Sequence, residues 1–182
     1  MSAGHFELLP AVALQLVLEV EAYRAAVSSL VANPGDELQR TRVTRALRAA
    51  SPLAHAVPAA VAAWGNLTVA HNEFTLARMR AEPATVLSRM AAHVDACAEA
   101  VVAASVKWAL RQQAAARVPP HTIAAFRAWD TARRDAFAAA HFVAALLAAG
   151  APVPPQLREH HQRAAGLAAL LLDDASRALF QP

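Results

Sequence analysis

With 182 residues, 57% of them hydrophobic, the chain can bury a substantial core and needs no more than one domain, read as 1–182. Only five glycines and 5% aromatic residues, with abundant alanine, favour helix throughout and argue against a β fold. The formal charge of +3 falls short of the dense basic footprint of a dedicated nucleic-acid binder, and a single cysteine excludes an intrachain disulfide.

The segment from Met1 to Leu9 lacks the basic stretch, apolar run and small-residue cleavage site of a secretory signal. Together with the lone cysteine this predicts a cytoplasmic protein. A first helix is expected over 7–32, because Leu9, Ala13, Leu16, Val20, Tyr23, Val27 and Leu30 recur at helical spacing. Val12, Leu14, Val17 and Leu18 widen its apolar face beyond what one seam requires. Asn33-Pro34-Gly35 ends it, and Asp36 with Gln39 forms a capping pattern that starts a shorter helix reaching about Ala49.

That second helix carries Arg40, Arg42, Arg45 and Arg48, candidates for phosphate contacts. Its acids come first and its arginines last, which also suits a solvated helix matched to its own dipole. Ser51-Pro52 reads as a new start, with Pro58 limiting it to a short turn around His55. A third long helix follows over 58–81, with Ala60, Trp64, Leu67, His71 and Phe74 on one face.

The longest helical pattern runs from Pro83 to Arg117. Leu87, Met90, Val94, Cys97, Val101, Ala104 and Trp108 alternate by three and four, and Val102, Val106 and Leu110 add a second face. This spacing predicts a central helix, with Met90, Val94, Cys97, Val101 and Trp108 buried and the helices 58–81 and 122–149 on its flanks. Pro119-Pro120 ends it, and Thr122 is placed to cap a fifth helix to about Ala149 that bears Phe126, Trp129, Phe137, Val143 and Leu147. A stiff linker over 150–155 leads to a last helix over 155–180 with Leu157, Ala164, Leu167, Leu171 and Ala178 on one face.

Five long helices and one or two short ones predict an all-α, up-and-down antiparallel helical bundle. The charge-free stretches 49–72 and 136–151 are broken by prolines, histidines or alanine runs, so no membrane span is expected.

Chemistry is sought first among the histidines, because His71, His93, His141 and His160 each lie on a different long helix at or near its apolar face, and bundle cores can hold metals in this way. Cys97, one turn from His93, would complete a donor set, although no Glu-x-x-His or Cys-x-x-Cys spacing is present. On the fifth helix Asp130, Arg134 and His141 share a face. Arg134-Asp135 followed by His141 resembles the arginine-to-histidine spacing of the HEPN family of helical ribonucleases. The resemblance implies acid–base chemistry by His141 on an RNA 2′-hydroxyl while Arg134 steadies the phosphate; Phe142 and Val143 stand where a tyrosine often follows in that family.

Trp64, Trp108 and Trp129 are expected to anchor the core or to line an apolar pocket. No glycine-rich phosphate loop is present and no cofactor is expected. The leading expectation is a non-catalytic helical-bundle interaction module that binds a protein partner or self-associates as a homodimer, motivated by the apolar surplus of the first helix. The alternatives are a HEPN-like ribonuclease using Arg134 and His141, or a metal-binding bundle using His71, His93 and His141.

Overall fold

The computed structural model describes residues 9–112 and 119–180, and all regular structure among them is helical. The elements are α1 (Leu9–Ala32), α2 (Glu37–Ala56), a 3-10 turn (Pro58–Ala60), α3 (Val61–Met79), α4 (Ala84–Gln112), α5 (Pro120–Ala148) and α6 (Pro155–Phe180). The protein is an all-α helical bundle. The expected first-helix start at 7 and fourth-helix end at Arg117 lie outside the described residues. Among those described, no single helix is long and apolar enough to cross a membrane.

The chain divides into two compact units, Met1–Arg117 and Val118–Pro182. In the first, α1 packs against both α2 and α4, and α3 packs against α4. α1 and α4 are thus both interior helices of this unit, each flanked on two sides, as expected for α4. The α1 side chains Ala13, Leu14, Leu16, Val17, Val20, Tyr23, Ala26, Val27 and Leu30 are all buried. The surplus at Leu14 and Val17 is thus buried inside the unit.

The carboxylate of Asp36 caps α2 by accepting from the Gln39 N–H at 3.1 Å. Contrary to expectation, α2 does not stop near Ala49; it runs through Pro52 to Ala56. An interior proline costs about 3 kcal/mol, and burial offsets it here, because Ala54 and Val57 beyond it are 0% exposed. Val57 then leaves the helix at φ −109° and ψ 98°, the extended conformation that the following Pro58 demands. The path turns by 116° between α2 and α3. These two consecutive helices share little contact, so side-by-side sequential packing does not hold there.

In α4 the buried residues are Leu87, Val94, Ala98, Val101, Val102, Ser105, Val106 and Ala109. Val94 and Val101 are buried as expected, whereas Met90, Cys97 and Trp108 are only half-buried. The heptad stripe steps by 3.5 residues while a straight helix turns every 3.6, so the seam drifts onto Ala98, Ser105 and Ala109 along the helix. Within the unit its partners are α1 and α3; the 122–149 helix expected as a flank belongs to the second unit.

The second unit is a hairpin in which α5 and α6 run antiparallel. Thr122 at the start of α5 reaches the end of α6, its hydroxyl donating to the Ala178 carbonyl at 2.9 Å. It therefore ties two helices together and does not cap α5, whose N-cap residue is Pro119 with no side-chain hydrogen bond. Further along, Asp135 meets His160 near the start of α6 at 3.2 Å. Gly150, at φ 66°, closes α5 by donating to Leu147 while Ala151 donates to Leu146, the paired bonds of a left-handed C-terminal cap.

Candidate functional site

The first unit gathers its polar side chains where α1, α3 and α4 meet. Tyr23, 1% exposed, shares a 3.0 Å hydrogen bond with Nδ1 of His71, and the rings pack edge to face at 5.7 Å. Thr75 lies 3.4 Å from Nε2 of the same imidazole. Both ring nitrogens of His71 are thus engaged by protein groups, and burial followed by the nearby Arg78 charge lowers its pKa from the usual 6.5. The Tyr23 phenol is pushed well above its ordinary range by burial and then by Cys97.

On α4, Sγ of Cys97 and Nε2 of His93 stand 3.9 Å apart. Burial and then the charge of Glu73 raise the Cys97 thiol pKa, which keeps it protonated and works against a nucleophilic role. Glu73 and His93 also border an open cleft of about 670 Å³ between α3 and α4, floored by Ala70, Ala77, Val86 and Met90. His71, His93 and Cys97 therefore belong to one unit and His141 to the other. Among the described residues no three His, Cys, Asp or Glu side chains come together as a metal site, these four included.

Next to this cluster a second polar group joins α1 to α4. The Arg24 guanidinium grips Asp95 with two bonds, from Nε at 2.7 Å and Nη2 at 3.0 Å, and its Nη1 donates to Glu21 and Glu99 at 2.9 Å each. Burial alone would lower the arginine pKa; the Asp95 hydrogen bonds and the three carboxylate charges outweigh it and hold the guanidinium firmly protonated. The spacing of Asp95 and Glu99 shows that they share a face of α4, but not that Arg24 meets them, since that depends on the register of helices 71 residues apart.

On α5, Asp130 is buried between two arginines, Arg133 at 2.6 Å and Arg134 at 2.8 Å. Arg133, 8% exposed, also lies 5.4 Å over the Trp129 ring; the sequence reading overlooked it because arginines are rarely buried. Arg134 is exposed, with Nη2 on the Asp130 carboxylate and Nε donating to the Asp130 carbonyl at 3.2 Å. His141 is exposed and stacks on Phe137 at 6.3 Å. Seven residues separate Arg134 and His141, about 10.5 Å along the helix, and the guanidinium is already committed to Asp130.

Arg40, Arg42, Arg45 and Arg48 are all exposed on α2. Arg40 pairs with Glu37 at 2.6 Å, and the Thr41 and Thr44 hydroxyls bond back to carbonyls of their own helix. From α3, Arg78 donates to the Pro34 carbonyl at 3.3 Å.

The remaining surface feature is apolar. Leu167, Leu170 and Phe180 on α6 and Phe142 and Leu147 on α5 are each more than half exposed. The only buried residues of α6 are Ala164 and Ala175. Helical spacing did not reveal this, because a pattern shows that a stripe exists without showing what covers it.

Comparison with known proteins finds no matching family model and no curated protein or solved structure of significant similarity. The resemblance at Arg134 and His141 accordingly rests on those residues alone.

Proposed function

We propose that the protein is a non-catalytic helical module that works by associating with another polypeptide chain, most simply a second copy of itself, through the outer surface of the α5–α6 hairpin. One observation carries this reading: α6 holds six leucines and a phenylalanine, yet only two alanines of the helix are buried. Exposed apolar side chains in this density on a two-helix unit mark a contact surface. A second hairpin laid across the first would complete a four-helix bundle, in which each helix has two neighbours. Burying a leucine contributes roughly 1.5–3 kcal/mol, so Leu167 and Leu170 from each copy supply the core of such a contact.

Light scattering on the purified chain tests the proposal. A dimer mass is expected at micromolar concentration, and Leu167→Glu with Leu170→Glu should give a monomer of unchanged helical content. A monomer at high micromolar concentration in the native protein, with no partner recovered, removes the reading.

A further inference from the structure

Charge is distributed unevenly over this chain. α2 carries four arginines against one glutamate, a balance equal to the +3 of the whole sequence, so every other segment together is neutral. Its apolar side, Val43, Ala46, Ala50 and Ala54, is buried, which leaves the arginines fanned across the outward face. Arg40 and Arg48 stand about 12 Å apart along the helix. A shallow groove on this face is bordered by Arg40, Arg45 and Arg48 together with Glu37.

A second helix contributes to the same region. Arg78 of α3 sits beside the start of α2, held by the Pro34 carbonyl, while its Nε is buried with no hydrogen-bond partner. Burial and then the charge of Arg40 lower its pKa, with Glu37 opposing. Two like charges from different helices are thus kept close enough to repel. Glu37 neutralises part of Arg40, but Arg42, Arg45 and Arg48 have no ion-pair partner among the described residues.

We infer that the outward face of α2, joined by Arg78, is a binding surface for the phosphate backbone of a nucleic acid. Guanidinium groups suit this ligand because each presents a planar fork of donors to phosphate oxygens. No aromatic side chain lies on the α2 face for base stacking, so the contacts are to phosphates and independent of sequence. A lipid surface fits less well: a helix lying in a membrane interface needs a free apolar face, and that of α2 is occupied by the bundle.

The test is fluorescence anisotropy with the intact protein and a labelled duplex DNA of mixed sequence, titrated with salt. Three to four phosphate contacts give a slope of log affinity against log salt of about −3, equal for a scrambled duplex. Arg45→Ala with Arg48→Ala should reduce that slope to about −1 and weaken binding at least tenfold at low salt, leaving helical content unchanged. Arg158→Ala with Arg163→Ala on α6, equal in charge removed, should leave binding as it was. The inference is overturned by absence of binding at low salt, by equal losses in the two double variants, or by binding to phosphatidylserine vesicles without binding to the duplex.

Discussion

Ala81 occupies a position where the backbone favours glycine. At φ 53° it stands just past α3, where it donates to Arg78 while Glu82 donates to Ala77; this is the same left-handed cap that Gly150 forms after α5. A side chain in that conformation costs roughly 1–2 kcal/mol, partly offset by the freedom glycine adds to the unfolded chain, roughly 0.5–1 kcal/mol. Ala81→Gly should therefore stabilise the protein by about 0.5 kcal/mol, and Gly150→Ala should destabilise it by a similar amount. A methyl at Gly150 meets nothing within 4 Å, so the loss there is backbone strain alone. Urea denaturation of the two variants decides this, and midpoints that move in the same direction contradict it.

His71 makes stability depend on pH. Its folded pKa lies below 6.5 because of burial and then Arg78, so the unfolded chain binds a proton more readily than the folded one. Stability from this residue is complete above pH 6.5 and is lost as pH falls from there through the lowered folded value. His71→Gln should flatten the decline in melting temperature between pH 6.5 and 5.5. An undiminished decline in that variant would place the pH dependence elsewhere.

At the scale of one helix, α4 shows which side chains hold the first unit. Val101 is fully buried and Cys97 is not. Burying an unpaired carboxylate at position 101 exceeds about 4 kcal/mol, so Val101→Asp should abolish the cooperative unfolding transition of this unit. Cys97→Ser should change the unfolding free energy by less than about 1 kcal/mol. A folded Val101→Asp protein would show that the buried face of α4 is dispensable. The contrast also shows what was legible beforehand. Starts and stops governed by neighbouring residues, such as the Asp36 cap and the Asn33-Pro34-Gly35 stop, could be read directly, because the physics that sets them is local. The choice between Cys97 and Ala98 as seam residue could not, since a drift of one position depends on helix straightness and on the neighbour. Tyr23 with His71, and Arg24 with Asp95, were equally hidden, because each pair needs the register between helices distant in the chain.

For the molecule as a whole, the residues of the apolar surplus at Leu14 and Val17 of α1 prove to be internal, and exposed apolar side chains lie on α5 and α6, with others at Val69, Leu76 and Met79 of α3. The two units have different means of standing alone. The first surrounds α1 with neighbours and buries Tyr23, Phe74 and Leu30 almost completely. The second has two helices joined by a short turn, and isolated helices draw most of their stability from a packed apolar face. Residues 118–182 produced alone should thus be only partly helical at low micromolar concentration and should gain helix as concentration rises, because a second hairpin supplies the missing cover. Circular dichroism over a hundredfold dilution measures this. Concentration-independent helicity with a sharp thermal transition in a monomeric fragment would mean that the α5–α6 contact suffices by itself, and that Leu167 and Leu170 are exposed without a partner to meet.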